Sequence, residues 1–206
     1  MSATADRDFN KFVQGAFSCT PEVAASIARK ASTRHYPVRT VILKQGDRAN
    51  ITFLLIAGRV HALTYGVEGQ LVLLHEFLPG DFFGAIAYDQ PKPEEADTVA
   101  IEDSSAAAFL ALDFLSLIET YGCVGLAVSR MLLKQLRATA ARMVERTTLS
   151  AAGRIYAELL RLARLADGRT VKPAPVLATL AVRVNSTRET VSRTINALER
   201  RGIIRR

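Results

Sequence analysis

The sequence predicts an α+β chain: an antiparallel β structure, then a long helix, then a helix-turn-helix. Three observations carry that expectation. Short β-rich runs recur between residues 38 and 112, a stripe at three- and four-residue spacing runs from Leu126 to Thr147, and two close-set helical patterns end the chain. Charge follows the same division. Residues 145–206 hold 13 Lys/Arg against 5 Asp/Glu, whereas residues 1–144 hold 14 against 15, so the net charge of +7 belongs to the C-terminal part. A basic end of this kind suggests a polyanionic partner; the plainer alternative is a solvated basic face.

The first element is PEVAASIARKA at 21–31, a short helix with Thr20 as candidate cap and Pro21 at its first position. There follow TVILK, ITFLLI, RVHALTY, QLVLLHEFL, DTVAI and AAAFLAL, with turn signals at Gly46-Asp47, Gly58, Gly69, Gly80-Asp81 and Pro91–Pro93. Strands this short and this regularly spaced indicate an antiparallel roll, barrel or sandwich. After Asp113 the pattern turns helical. Leu126, Leu133, Leu136, Ala140 and Met143 form a heptad-like seam completed by Ser129 and Thr147, with Arg130, Lys134, Arg137 and Arg142 on other faces. A seam so narrow and long suits a parallel dimer helix; packing against the β structure is the alternative. Ser150 then caps a helix that reaches about Leu165, with Ile155, Leu159 and Leu162 on one face. ADGRTVKPAP (166–175) is a loop.

The final pair of helices can be placed geometrically. Leu177, Leu180, Ala181 and Val184 share one face of Val176–Val184, and Val191, Ile195 and Leu198 share one face of Thr187–Arg200. Asn185-Ser186 join them, with Thr187 or Ser186 as the second cap. Once the apolar face turns inward, Arg188, Glu189, Ser192 and Arg193 point outward on the first two turns, the part of a recognition helix that enters the major groove. Arginine bonds the guanine O6/N7 edge bidentately and glutamate accepts from cytosine N4. Ser186, Thr187 and Thr190 are short donors at a helix N-terminus, suited to phosphate oxygens.

The segment STRETVSRTINALERRGII resembles the recognition helix of the Crp/Fnr superfamily of bacterial transcription regulators. The string QGD…FLLIAGRV…LPGDFFG resembles the same superfamily's cyclic-nucleotide-binding-like β-roll, and order and spacing match over about residues 38–203. The resemblance implies a β-roll sensor domain with its N-terminal helix over 1–112, a dimerisation helix over 113–147 and a winged helix-turn-helix over 148–206. It implies a homodimer reading a pseudo-palindromic site, with the base-reading arginine and glutamate on Arg188, Glu189 and Arg193. The serine used by the Fnr-like branch falls on Ser192. Double-stranded DNA, a second copy of the chain and RNA polymerase are the implied partners.

Two departures from the superfamily pattern stand out. Members that hold a cyclic nucleotide carry a cassette G-E-L-A…R-S-A, with Glu on the ribose hydroxyl and Arg on the phosphate. Here it reads G-A-I-A…E-A-D: Gly84 is kept, but Ala85, Glu95 and Ala96 stand at the Glu, Arg and Ser positions. Thr139 matches a threonine by which the dimer helix meets the base, yet Ala140 stands where a serine would follow. Between His61 and Ser129 one basic residue, Lys92, faces eleven Asp/Glu, which repels a phosphate. Binding of cAMP in the usual manner is therefore not expected, and the effector is unknown. The other departure concerns DNA. The first helix of the pair opens Pro175-Val176-Leu177-Ala178, without the family's polar phosphate contacts, and the wing that the resemblance implies after GIIRR is expected to be absent or truncated. Phosphate contacts are then expected from Arg183, Arg200, Arg201, Arg205 and Arg206.

Other classes fall away. No N-terminal cysteine cluster exists for iron–sulfur ligation. His61, His75 and Cys123 lie where haem-binding relatives recruit ligands, but a lone histidine on a strand reads first as a structural residue, so haem is not expected. His35, His61 and His75, with no His-x-His pair, offer no metal site for an enzyme. A regulatory module acting through a protein partner is the alternative function, and the C-terminal motif argues against it. No apolar run reaches the ~18 residues a spanning helix needs, and MSATADRDFNK lacks signal-peptide order, so no membrane partner and a cytoplasmic location are expected.

Overall fold

A computed structural model describes residues 3–67, 69–86, 92–165, 167–171 and 174–205, with side chains from residue 7 onward. Ala87 of the cassette, Pro91 of the expected turn and Arg206 lie outside the described residues. The elements run α1 (Ala3–Phe17), α2 (Pro21–Ala28), β1 (Ala31–Tyr36), β2 (Val41–Leu43), β3 (Ile51–Ala57), β4 (Val60–Tyr65), β5 (Leu71–Phe77), β6 (Phe82–Gly84), β7 (Asp97–Ala100) and β8 (Ser104–Leu110). Five helices complete the order: α3 (Ala111–Thr120), α4 (Gly122–Thr148), α5 (Ala151–Arg164), α6 (Leu177–Arg183) and α7 (Arg188–Arg200). The chain divides into two units, Met1–Thr64 with Leu74–Leu136, and Tyr65–Leu73 with Arg137–Arg206. Among the described residues no single helix is long and apolar enough to cross a membrane.

The strands form two four-stranded sheets in a β-roll, ordered β1-β8-β3-β6 and β2-β7-β4-β5. The first sheet is covered on both faces, which is why ITFLLI and AAAFLAL read as unbroken apolar runs rather than alternating ones. Leu54, Ala107 and Phe109 pack with Val13 and Phe17 of α1, Ile27 of α2, Phe114 of α3 and Val124, Val128 and Met131 of α4. Phe53, Leu55, Ala106 and Ala108 point the other way, into a second cluster with Phe77 and Phe83. Phe53 and Phe83 stack there at 4.9 Å.

Several elements differ from the sequence expectation. The expected helix over 21–31 stops at Ala28, because Ala31 already pairs with Phe109 in the β1–β8 ladder. Thr20 holds the N-cap position with extended backbone, but its side chain makes no capping bond. Three elements lay outside the expectation: α1, β1 and β6. The helical stretch after Asp113 is two helices, not one. Tyr121 adopts extended φ/ψ at the junction, and α3 and α4 meet at 110°.

The long helix α4 carries two apolar stripes. Val124, Val128 and Met131 are buried against the roll. The heptad-like seam is a different face: Leu126, Leu133, Leu136 and Met143 are 50–68% exposed, and Ser129, Ala140 and Thr147 are exposed with them. The LPGD turn ties the roll to the buried face. Asp81 accepts from Leu78 N–H at 2.9 Å and pairs with Lys134 Nζ at 2.9 Å, while Phe82 N–H donates to Met131 Sδ at 3.3 Å.

Candidate nucleic-acid interface

The second unit packs around Ile155, Leu180, Ala181, Val184, Val191 and Ile195, with Leu159 and Leu177 at the edge. These are the apolar faces of α5, α6 and α7, so the two short helices find in α5 the third side of their core. Ser150 caps α5 by accepting from Gly153 N–H at 3.2 Å. The turn between α6 and α7 needs a left-handed residue, supplied by Asn185 at φ +49°, a conformation asparagine tolerates better than most. Arg154 of α5 holds that turn from below. Its guanidinium donates to the carbonyls of Val184 (2.9 Å) and Asn185 (3.2 Å), and also to that of Leu149 (3.1 Å).

Thr187, not Ser186, caps α7. Its hydroxyl oxygen accepts from Thr190 N–H at 3.2 Å, and the Thr187 and Thr190 hydroxyls share a hydrogen bond at 3.0 Å. Glu189 sits on the same first turn. Its own backbone N–H, the Thr187 hydroxyl and the Arg188 charge hold its carboxyl below the ordinary glutamate range, so it meets a partner as a carboxylate acceptor. With Val191, Ile195 and Leu198 buried, the opposite face is turned away from the core. Arg188, Glu189, Ser192, Arg193, Asn196 and Arg200 line one open groove along it.

The structure therefore brings together the four residues read as base-reading and adds Asn196, which sequence reasoning missed. The signal was present: Asn196 follows Ser192 by four residues and Arg193 by three, continuing the outward stripe. A side-chain amide there can pair with adenine N6/N7. Arg200, Arg201 and Arg205 are exposed, Thr187 is exposed, and Ser186 and Thr190 are half-buried at the helix start.

Arg183 corrects the sequence expectation. Instead of reaching outward, its side chain is 12% exposed and donates to Glu158 Oε1 at 3.1 Å. Glu158 is itself 3% exposed. Its other oxygen pairs with Arg161, whose guanidinium also reaches Glu145 at 2.7 Å. A carboxylate buried to this degree requires charged partners, and Arg183 is one of them.

The cassette positions in the roll have a different character. Gly84 adopts φ +86°, and a Cβ there would stand 2.4 Å from the Ile51 carbonyl oxygen. Ala85 is buried, its N–H bonded to that same oxygen at 3.0 Å and its carbonyl accepting from Thr52 Oγ1 at 2.8 Å. Ala96 is buried and Glu95 exposed. The Glu94 carboxyl beside them is pushed up by burial and by the Glu95 charge. The segment is pinned to the 45–48 turn through Gly46 N–H to Glu94 O (2.9 Å), Glu94 N–H to Asp47 O (2.9 Å) and Gln45 N–H to Asp97 Oδ1 (2.8 Å). Thr139 lies exposed on α4, in the second unit. Nearby in sequence, Arg59 is occupied by Glu76 (3.1 Å) and Glu102 (3.3 Å). Buried His61 faces Glu76 at 3.6 Å, and His75 packs on Phe77 at 4.9 Å. Among the described residues no three His, Cys, Asp or Glu side chains gather into a metal site.

The profile of the cyclic nucleotide-binding domain matches residues 33–121, and that of the Crp-like helix-turn-helix domain matches residues 153–206. The chain belongs to the Crp/Fnr superfamily. Its members are DNA-binding transcription regulators, not enzymes, and this Crp/Fnr chain is a DNA-binding transcription regulator. It is 29% identical over 172 residues to the cyclic AMP receptor protein of Thermus thermophilus, which spans 84% of this chain and 79% of the relative. Among solved structures it is similar to the c-di-GMP responsive global regulator CLP of Xanthomonas campestris, with a TM-score of 0.77 at 19% identity, covering 91% of this chain and 95% of that one. FixK2 from Bradyrhizobium japonicum matches at a TM-score of 0.71 and 22% identity, covering 85% and 88%. Those two likenesses establish the Crp/Fnr fold.

Proposed function

We propose that the protein is a homodimer that reads a pseudo-palindromic DNA site with one α7 from each subunit. One observation carries the reading: two arginines, a carboxylate and a hydroxyl from the first two turns of a capped helix, and an amide one turn further on, line one groove. Those are the side chains that discriminate base edges in the major groove. Arg188, Glu189, Ser192, Arg193 and Asn196 read bases, while Ser186, Thr187, Thr190 and Arg200 meet phosphates. The exposed seam of Leu126, Leu133, Leu136, Ala140 and Met143 supports the dimer, since a heptad-spaced apolar face of that length is stable in water when a second helix covers it. In this reading the roll extends through α3 to Tyr121, α4 (Gly122–Thr148) is the dimerisation helix and residues 149–206 are the DNA-binding domain. RNA polymerase is the further partner, and the cytoplasm is the location.

The effector is not cAMP bound in the usual manner. The relatives' names refer to cyclic AMP and to c-di-GMP, but a methyl at Ala85 offers a ribose no acceptor, and Glu95 offers a phosphate a like charge. Selection from a random DNA pool tests the function directly and is expected to return half-sites about one helical turn apart. On the selected site, Arg193→Ala is expected to cost about 1–3 kcal/mol of discrimination at one base position per half-site. Arg200→Ala is expected to weaken selected and random DNA alike. Equal losses on both DNAs for Arg193→Ala would remove it from base reading.

A further inference from the structure

The joint between α4 and α5 consists of Leu149 and Ser150 alone. Leu149 N–H still reaches the Glu145 carbonyl at 3.0 Å, and Ser150 opens α5 with extended backbone at φ −62° and ψ 165°. A joint at the end of an element absorbs rotation unless something spans it. Arg154, in the first turn of α5, spans it. Its Nη1 donates to the Leu149 carbonyl at the end of α4 (3.1 Å), its Nε to the Val184 carbonyl at the end of α6 (2.9 Å) and its Nη2 to the Asn185 carbonyl (3.2 Å). The last carbonyls of a helix have no partner within it and carry the negative end of its dipole. A planar cation with donors on three nitrogens satisfies two such ends at once. Asn185 is also the left-handed residue from which the chain turns into α7. One side chain therefore ties the end of α4 to the turn that aims α7.

Arg161, seven residues further along α5, ties the same two helices a second time. It pairs with Glu145 in the last turn of α4 at 2.7 Å and with Glu158, whose other oxygen accepts from Arg183 in the last turn of α6 at 3.1 Å. Arg154 itself does not line the groove on α7, so it acts on DNA through that helix. We propose that Arg154 is a positioning residue for DNA reading: by capping α4 and α6 together it fixes the direction of α7 against the end of α4, and so sets the half-site spacing that a dimer accepts. This role rests on the dimeric reading above. Two reading heads on stiff joints engage both half-sites together at one spacing, with an avidity gain of about a hundredfold to ten-thousandfold. Loosened joints give up part of that gain and accept neighbouring spacings.

Arg154→Lys keeps the charge but offers one ammonium in place of three nitrogens in a fork. The full chain and this variant are titrated with the DNA site that the parent selects, with the same half-sites one or two base pairs closer or further apart, and with a single half-site. One added base pair shifts a half-site by about 3.4 Å and turns it by about 35°. The parent is expected to bind its own spacing at least about tenfold more tightly than either neighbour, and Arg154→Lys to reduce that ratio to about twofold. On the single half-site the variant, with circular dichroism matching the parent, is expected to keep the parent's affinity and base preference. A spacing ratio unchanged in the variant would overturn the proposal. So would an equal loss on every duplex, the single half-site included, which is what a merely structural role gives. Arg154→Gln serves if the lysine variant misfolds, and failure of both to fold would also overturn the positioning role. A parent that selects unrepeated sites, or accepts every spacing alike, would remove the dimeric reading and this role together, and that outcome is told apart because the parent alone shows it.

Discussion

Replacing Arg183 by alanine separates two roles that a basic residue beside a recognition helix can have. Glu158 is 3% exposed and accepts one hydrogen bond from Arg183 at 3.1 Å and one from Arg161. Removing one partner of a buried ion pair costs about 3–5 kcal/mol when the remaining charge is left alone. Here Arg161 remains, but it is 42% exposed and shared with Glu145, so it offsets part of the loss and about 2–3 kcal/mol of destabilisation is expected. Urea unfolding reads this as a lower midpoint with an unchanged m-value. The DNA-binding readout points the other way. A phosphate ligand contributes about 0.9 to the slope of log K against log salt concentration, or about 1.8 for a dimer that uses it twice. The slope of Arg183→Ala, measured where the variant is folded, is expected to match the parent. An unfolding midpoint left where it was, with a slope reduced by nearly two, would refute the structural role and return Arg183 to the DNA backbone.

Thr187→Ala should cost about 1 kcal/mol through loss of the α7 cap, whereas Thr187→Asp should retain most of the stability; the urea midpoint distinguishes them. Gly84→Ala and Gly46→Ala both place a side chain at positive φ, but a Cβ at Gly46 meets nothing within 4 Å while one at Gly84 stands 2.4 Å from the Ile51 carbonyl oxygen. Gly46→Ala should therefore cost about 1 kcal/mol and Gly84→Ala clearly more, and equal midpoints would show that the β3–β6 contact yields. Leu136→Glu puts a charge into the exposed seam, so sedimentation should show a shift from dimer to monomer with the fold intact.

The parts of the fold that were legible in the sequence are those where burial and periodicity coincide. The apolar runs of β3 and β8 stand out because both of their faces are covered, and the α6–α7 pair stands out because each helix buries one clean stripe. α1 was legible in principle, since Phe9, Phe12, Val13, Ala16 and Phe17 recur at helical spacing. β1 was not: ASTRHY carries one aromatic and no aliphatic residue larger than alanine, and it becomes a strand because β8 offers it an edge. The break at Tyr121 has no proline to announce it, and its one local signal is Gly122, which is neutral between a turn and a helix start. The inward ion pair of Arg183 was not legible for a related reason. Its partner Glu158 lies 25 residues away, and nothing local shows that Glu158 will be buried; a charge count gives the sign of a surface but not which charges are consumed inside it. The groove on α7 was read nearly in full, because outward positions on a short amphipathic helix follow from the inward ones.

Gly84 changes how much its motif can say about ligands. The residue sits at φ +86° with the Ile51 carbonyl oxygen where a Cβ would be, so the close approach of β6 to β3 demands a glycine whether or not anything binds nearby. Half of the cassette is thus architecture and half is chemistry, and the two halves carry separate information. A search that weighs the glycine as evidence for a cyclic nucleotide counts the roll's closure twice. In the proposed reading it is residues 85, 95 and 96, not the glycine, that bear on the effector.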